Sequence, residues 1–168
     1  MEFSNIEVLE LPDISEVSFN GIEKDYLKII IVRISTLFFL AFLILLLLDF
    51  YVPEVSQFDH VNTLYIGIIL GYVFVLTCGF VGFSKKGYAV RERDVSYKRG
   101  LLMKTITTVP FSRIQHVEIN ESPMARLLKM ASLVIFTAGD SSNDLVIRGL
   151  RKNEALKIKE FINQQINE

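Results

Sequence analysis

Few residues in this 168-residue chain are of types that do chemistry, and they are scattered. There are two histidines, His60 and His116, and one cysteine, Cys78. None of them has a second histidine or cysteine at metal-ligand spacing, so no metal site is expected. His116 shares a predicted strand face with Ile114 and Glu118, and is expected to be a solvated rim histidine rather than a general base. The chain contains no GxxxxGK[ST] phosphate loop, no GxGxxG turn and no GxSxG elbow. These readings point to no catalytic residue, no cofactor and no enzyme. With one thiol no intramolecular disulfide is possible, and Cys78 is expected to act as a small buried apolar residue.

What remains is charge. Residues 1–28 hold seven acids against two bases, while residues 84–168 hold fifteen Lys/Arg against nine Asp/Glu, a net of +6. Lys85, Lys86, Arg91, Arg93, Lys98 and Arg99 are the candidate membrane-surface residues. Each base near an anionic leaflet contributes about 1 kcal/mol, so this group could hold a domain against lipid headgroups. Ordinary flanking charge explains the same residues. Their spread over several predicted strands argues against one specific phosphoinositide pocket. The acidic tail could lie across the basic face or stay solvated. No nucleic-acid partner is expected.

These charges must be positioned by two apolar runs, Ile29–Leu48 and Leu64–Phe83. Each is about twenty residues, enough for a helix to cross roughly 30 Å of hydrocarbon. A transmembrane hairpin is predicted over residues 24–83, with helices at about 29–48 and 64–83 and an outer loop at 49–63. The loop carries Asp49, Glu54 and Asp59 but no Lys or Arg. Lys24, Lys28 and Arg33 flank one side of the hairpin, and Lys85, Lys86, Arg91 and Arg93 the other. Positive flanks stay inside, so both termini are predicted to be cytoplasmic. Phe50, Tyr51 and Phe58 suit the outer interface. The opening MEFSNIEVLELPD lacks the basic start of a cleavable signal, so the first run is expected to stay in the mature protein.

Inside the hairpin, Arg33 sits about one turn into the first run. A charge at mid-bilayer costs about 2.5–3.5 kcal/mol, whereas near an end the side chain snorkels to the headgroups. Arg33 is therefore expected to be a membrane-interface anchor. Gly67 and Gly71 form a GxxxG step, a helix-packing candidate that faces either Ser35 and Ala41 of the first helix or a second copy of the chain.

After Phe83 the pattern shortens to strands, near 87–92, 94–99 and 101–109, with a turn at Gly100. Pro110 breaks the run. Arg113–Glu121 alternates, with Gln115, Val117 and Ile119 on one face. Ser122-Pro123 is a helix start: the serine oxygen caps a free N–H, and proline has none to leave unsatisfied. Ala131–Ala138 and Asp144–Leu150 read as strands around a turn at Gly139–Asn143. From about Lys152 to Ile166, Ala155, Ile158, Ile162 and Ile166, helped by Phe161, recur at helical spacing.

Pro110 with Arg113-Ile114-Gln115-x-Val117, then Arg126-Leu127-Leu128, then Thr137-Ala138-Gly139, resembles the signature of bacterial pleckstrin-homology-like (PH-like) domains of the YdbS type. The resemblance covers about residues 25–165. Such domains often place glycine after the Arg-Leu-Leu step, where this chain has Lys129. The resemblance implies a two-helix transmembrane hairpin followed by an α+β PH-like domain, an antiparallel, partly open barrel or split sheet capped by a C-terminal helix. The expected division is an acidic cytoplasmic tail at 1–23, the hairpin at 24–83 and a cytoplasmic PH-like domain at 84–168. It places the chain in a bacterial inner membrane, multi-pass. Three roles stay open: an interaction or assembly scaffold binding a protein partner or itself, an anionic-lipid-surface sensor, and an accessory subunit of a larger membrane transporter or enzyme.

Overall fold

A computed structural model describes residues 17–52, 60–138 and 144–167. The first sixteen residues of the acidic tail, Phe58 with most of the predicted outer loop, and the turn at Gly139–Asn143 lie outside them.

Helix α1 runs Asp25–Tyr51 and α2 runs Val61–Ser84, each longer than its apolar run. At about 1.5 Å per residue they measure roughly 40 and 36 Å. They pack antiparallel, and neither has a buried residue. Leu37, Phe39, Leu70 and Phe74 face outward. A helix that is apolar on every side needs an apolar surrounding, which this fold does not provide.

The folded part consists of two antiparallel sheets. In one, β1 (Asn20–Gly21), β2 (Gly87–Val90), β3 (Asp94–Arg99) and β4 (Thr105–Pro110) lie in that order. In the other, β5 (Ile114–Asn120), β6 (Met130–Thr137) and β7 (Leu145–Arg151) are adjacent. Neither sheet closes onto the other, so the barrel is split. Pro110 ends β4, and a short 3-10 turn at Phe111–Arg113 carries the chain across to β5. Between the sheets lie Val95, Leu133, Ile135, Ile147 and Leu150. Helix α4 (Lys152–Asn167) closes the core with the predicted stripe: Ala155 and Ile162 are fully buried, Ile158 and Ile166 pack beside them, and Phe161 meets Phe111 edge to face.

Three local expectations change. The stretch before Thr105 is a loop rather than strand, because Gly100 turns back at φ +116°. A Cβ there would lie 1.7 Å from the Met103 carbonyl oxygen. In β5 a register shift between Ile114 and His116 breaks the alternation. It brings Ile114 and Val117 both into the core and leaves Gln115 exposed. Lastly, the folded unit extends before the hairpin. Strand β1 pairs with Tyr88 and Gly87, and Ile22 is buried in the core.

Helix α3 (Pro123–Leu127) starts as its sequence predicts, with Ser122 Oγ accepting the Ala125 N–H at 3.2 Å. It ends on Lys129, the only non-glycine among the described residues at positive φ, 55°. That is the left-handed position where glycine is favoured. Lys129→Gly is expected to raise stability by about 1 kcal/mol, read as a higher thermal midpoint; an unchanged or lower midpoint would count against it.

Candidate membrane-proximal site

The register of the first sheet sorts the six candidate surface bases into two groups. Lys85 and Lys86 follow α2, and Gly87 pairs with Lys98, so Lys98 and Arg99 end beside them, near the hairpin. Arg91 and Arg93 sit in the turn at the other end of β2 and β3, about 15 Å away at 3.3 Å per residue. Arg91 is held there by Asp94 at 2.8 Å. Lys86 Nζ lies 5.7 Å from the centre of the Tyr26 ring, and Lys98 Nζ lies 5.6 Å from that of Phe19.

Two apolar protrusions flank the hairpin beside these bases. The β3–β4 loop projects Leu102 and Met103, 95% and 84% exposed, and Leu101 lies next to Gly82 of α2. Helix α3 comes up against α1 and exposes Met124 and Leu127. Leu101–Met103 had read as strand, so its role as a tip was hidden.

The hairpin has its own cross-links. Ser35 Oγ and the Tyr72 hydroxyl are 3.0 Å apart, and the Tyr65 hydroxyl donates to Asp49 at 3.1 Å. Phe38 packs edge to face on Tyr72. A Cβ at Gly71 would lie 3.4 Å from the Phe38 ring, whereas one at Gly67 would meet nothing within 4 Å. The tightest approach is at Gly79, where a Cβ would lie 3.2 Å from Ile34 and 3.3 Å from Ile30.

Where hairpin and sheets join, the Glu23 N–H donates to the Gly149 carbonyl at 3.1 Å, and the Glu23 carboxylate pairs with Arg151 at 2.8 Å. Arg151 is raised above its ordinary pKa by this bond and charge. The same junction brings Arg148 of β7 towards Tyr26, Arg33 and Lys86. Arg148 was not among the sequence candidates. Nothing in its sequence neighbours Ile147 and Gly149 marks it out.

The bacterial PH domain family matches residues 29–166, which include α1 from its second turn, all of α2 and both sheets except β1. The chain belongs to that family. The UPF0699 transmembrane protein YdbS of Bacillus subtilis (strain 168) is 27% identical over 77 residues, 46% of this chain and 46% of the relative. The match thus spans about half the length of that curated relative. No solved structure matches. These family and relative names denote a domain and a membrane protein, and neither names a catalytic activity.

In this bacterial PH domain the scattered signature meets in space. The Ala138 N–H donates to the Arg113 carbonyl at 2.8 Å, and Ile114 pairs with Thr137. No group of three His, Cys, Asp or Glu among the described residues could hold a metal ion. His116 is more than half exposed and stacks on Phe136 at 4.2 Å, with Glu118 at 3.7 Å.

One titration reports on the PH core. The Tyr88 hydroxyl donates to the Glu154 carboxylate, tying β2 to α4. Burial first, then that bond and charge, push Tyr88 far above its ordinary pKa; burial also raises Tyr97. An unfolded tyrosine ionises near pH 10. The stabilisation is therefore complete below about pH 10 and is lost as pH rises beyond it, because the unfolded chain sheds its proton first. Tyr88→Phe is expected to lower the thermal midpoint at neutral pH but to flatten its fall above about pH 10. Parallel curves for the two proteins would contradict this.

Proposed function

We propose that the protein is a non-catalytic assembly scaffold, anchored in the bacterial inner membrane by its hairpin with both termini and the PH domain on the cytoplasmic side. On this reading the hairpin spans residues 24–83 and the cytoplasmic domain residues 84–168 together with 20–23, with the acidic tail before them. Arg33 anchors the hairpin at the inner interface. Orientation rests on the bases that flank both helices and on the absence of Lys and Arg from residues 49–63.

The observation that carries the scaffold role is the outer edge of β4. Its sequence, Thr105-Ile106-Thr107-Thr108-Val109-Pro110, has no charge, and it ends the strand order of its sheet. Folded proteins usually blunt such edges with charges or bulges. The edge at β5 has both, through Glu118 and its register shift. An open β4 edge accepts an extended segment as one more strand.

A second copy of the chain fits this edge poorly. Two β4 strands related by a twofold would pair antiparallel. Strand β4 runs from the hairpin-proximal tip to the distal turn, so the two hairpins would then point in opposite directions. The occupant is therefore an extended segment of a different, membrane-associated protein.

The full-length chain, purified gently from its native membrane, is expected to carry such a partner in fixed stoichiometry. Ile106→Lys puts a charge on the exposed edge and is expected to weaken the partner at least about tenfold while the thermal midpoint is kept. A partner retained by Ile106→Lys, or wild-type protein that purifies alone, overturns the scaffold reading.

The alternative of a lipid-surface sensor is favoured by a separate observation. Lys85, Lys86, Lys98 and Arg99 share the hairpin-proximal end with the apolar tip at Leu102 and Met103.

A further inference from the structure

Two grooves run along α1, one on each side. The first, of about 560 Å³, lies between α1 and α2; the second, of about 900 Å³, lies between α1 and the α3–β7 side of the domain. Both volumes are in the range of ligand clefts, about 300–1,000 Å³. Tyr26, Arg33 and Arg148 line both grooves, and Lys86 lines the first. The walls are otherwise mainly apolar, with Ile34 and Gly79 in the narrower groove and Thr36, Ser122 and Ser132 among the aliphatic side chains of the wider one.

Among the described residues, these cations lack counter-charge. Arg33, Lys86 and Arg148 make no ion pair among the described residues. The acids nearest the junction are already engaged, Glu23 with Arg151 and Asp25 with Lys28. Burial and the like charge of Arg148 both push the pKa of Lys86 down. Lys86 is partly buried while Arg33 and Arg148 keep exposed side chains, and three cations that line one cleft repel one another unless an anion joins them. Their level is also specific. Arg33 lies about 12 Å along α1 from Asp25, just inside the start of the apolar run, where lipid phosphates meet hydrocarbon.

We propose that Arg33, Lys86 and Arg148 bind the phosphate of an anionic phospholipid whose acyl chains lie in the two grooves beside α1. The two guanidinium groups supply paired N–H donors matched to phosphate oxygens, and the lysine supplies a point charge. The apolar walls select a lipid over a soluble anion, which would leave them uncovered. Such a lipid would bridge helix and domain, because Arg33 belongs to the hairpin and Arg148 to β7. This proposal is independent of the β4 edge: its readout is bound lipid, not bound protein.

The test uses the full-length chain in mild detergent, with phosphatidylglycerol as the probe and native mass spectrometry as the readout. The wild type is expected to retain phosphatidylglycerol in preference to phosphatidylcholine. Arg33→Gln with Arg148→Gln is expected to lose it about tenfold, and Arg148→Lys to lose less. Arg91→Gln with Arg93→Gln, at the distal turn, is expected to bind as the wild type does. Thermal unfolding of each variant separates loss of binding from loss of fold. Four results would overturn the proposal: equal retention by the Arg33/Arg148 variant, equal loss in the distal variant, displacement by soluble glycerol phosphate alone, or binding that appears only after residues 1–16 are deleted. The last would make the acidic tail the occupant.

Discussion

Gly149→Val is expected to cost about 2–5 kcal/mol and to loosen the hairpin from the PH domain. Gly149 has φ +84°, where a side chain adds about 1–2 kcal/mol of backbone strain. Its Cβ would lie 2.3 Å from Ile22 Cγ2 and 2.7 Å from Tyr26 Cγ. Overpacking of a tight contact adds about 1–3 kcal/mol. Tyr26 Cβ, at 3.0 Å, is fixed by the backbone whatever the rotamer, so rotation of the ring cannot clear every contact and the chain itself must move. That movement would strain the bond from the Glu23 N–H to the Gly149 carbonyl and shift Arg148 away from Arg33. A domain stable by about 5–15 kcal/mol loses a large part of its margin. A lowered thermal midpoint with faster proteolysis around residues 17–24 is the expected result. A wild-type midpoint would show that helix and domain are not joined at this point.

Gly79→Leu is expected to push the two long helices apart at a cost of about 1–3 kcal/mol, while Gly67→Leu leaves the hairpin unchanged. The contrast follows from what each glycine faces. At Gly79 a Cβ would already press on Ile34 and Ile30 at 3.2 and 3.3 Å. At Gly67 there is open space. Thermal unfolding in mild detergent reads both variants. Equal destabilisation would refute this packing. A Gly67→Leu protein with normal unfolding but smaller oligomeric mass would assign Gly67 to a contact between copies.

Some of this protein is local and needs no partner to be legible. Twenty apolar residues in a row specify a spanning helix wherever they fold. The Ser122-Pro123 cap satisfies its own backbone, and Ala155, Ile158 and Ile162 repeat at the helix period whether or not a sheet lies beneath. Other features exist only through pairing. Asn20 and Gly21 carry no periodicity and become a strand because β2 offers a free edge. The β5 bulge moves Ile114 to the core side, and period-2 reading has no way to register an extra residue.

The candidate lipid site lies furthest from local reading. Arg33 read as an anchor, Lys86 as one of six candidate membrane-surface bases, and Arg148 was not singled out. Each interpretation was sound for a residue considered with its sequence neighbours alone. By itself the sequence determined the hairpin, the charge pattern that flanks it, and the helix that closes the domain, because length, charge and period are properties of short segments. Tertiary structure decided which cations share a cleft and which edge stays open. Both depend on strand order, and on Ile22 and Tyr26 seating against Gly149, contacts between segments far apart along the chain.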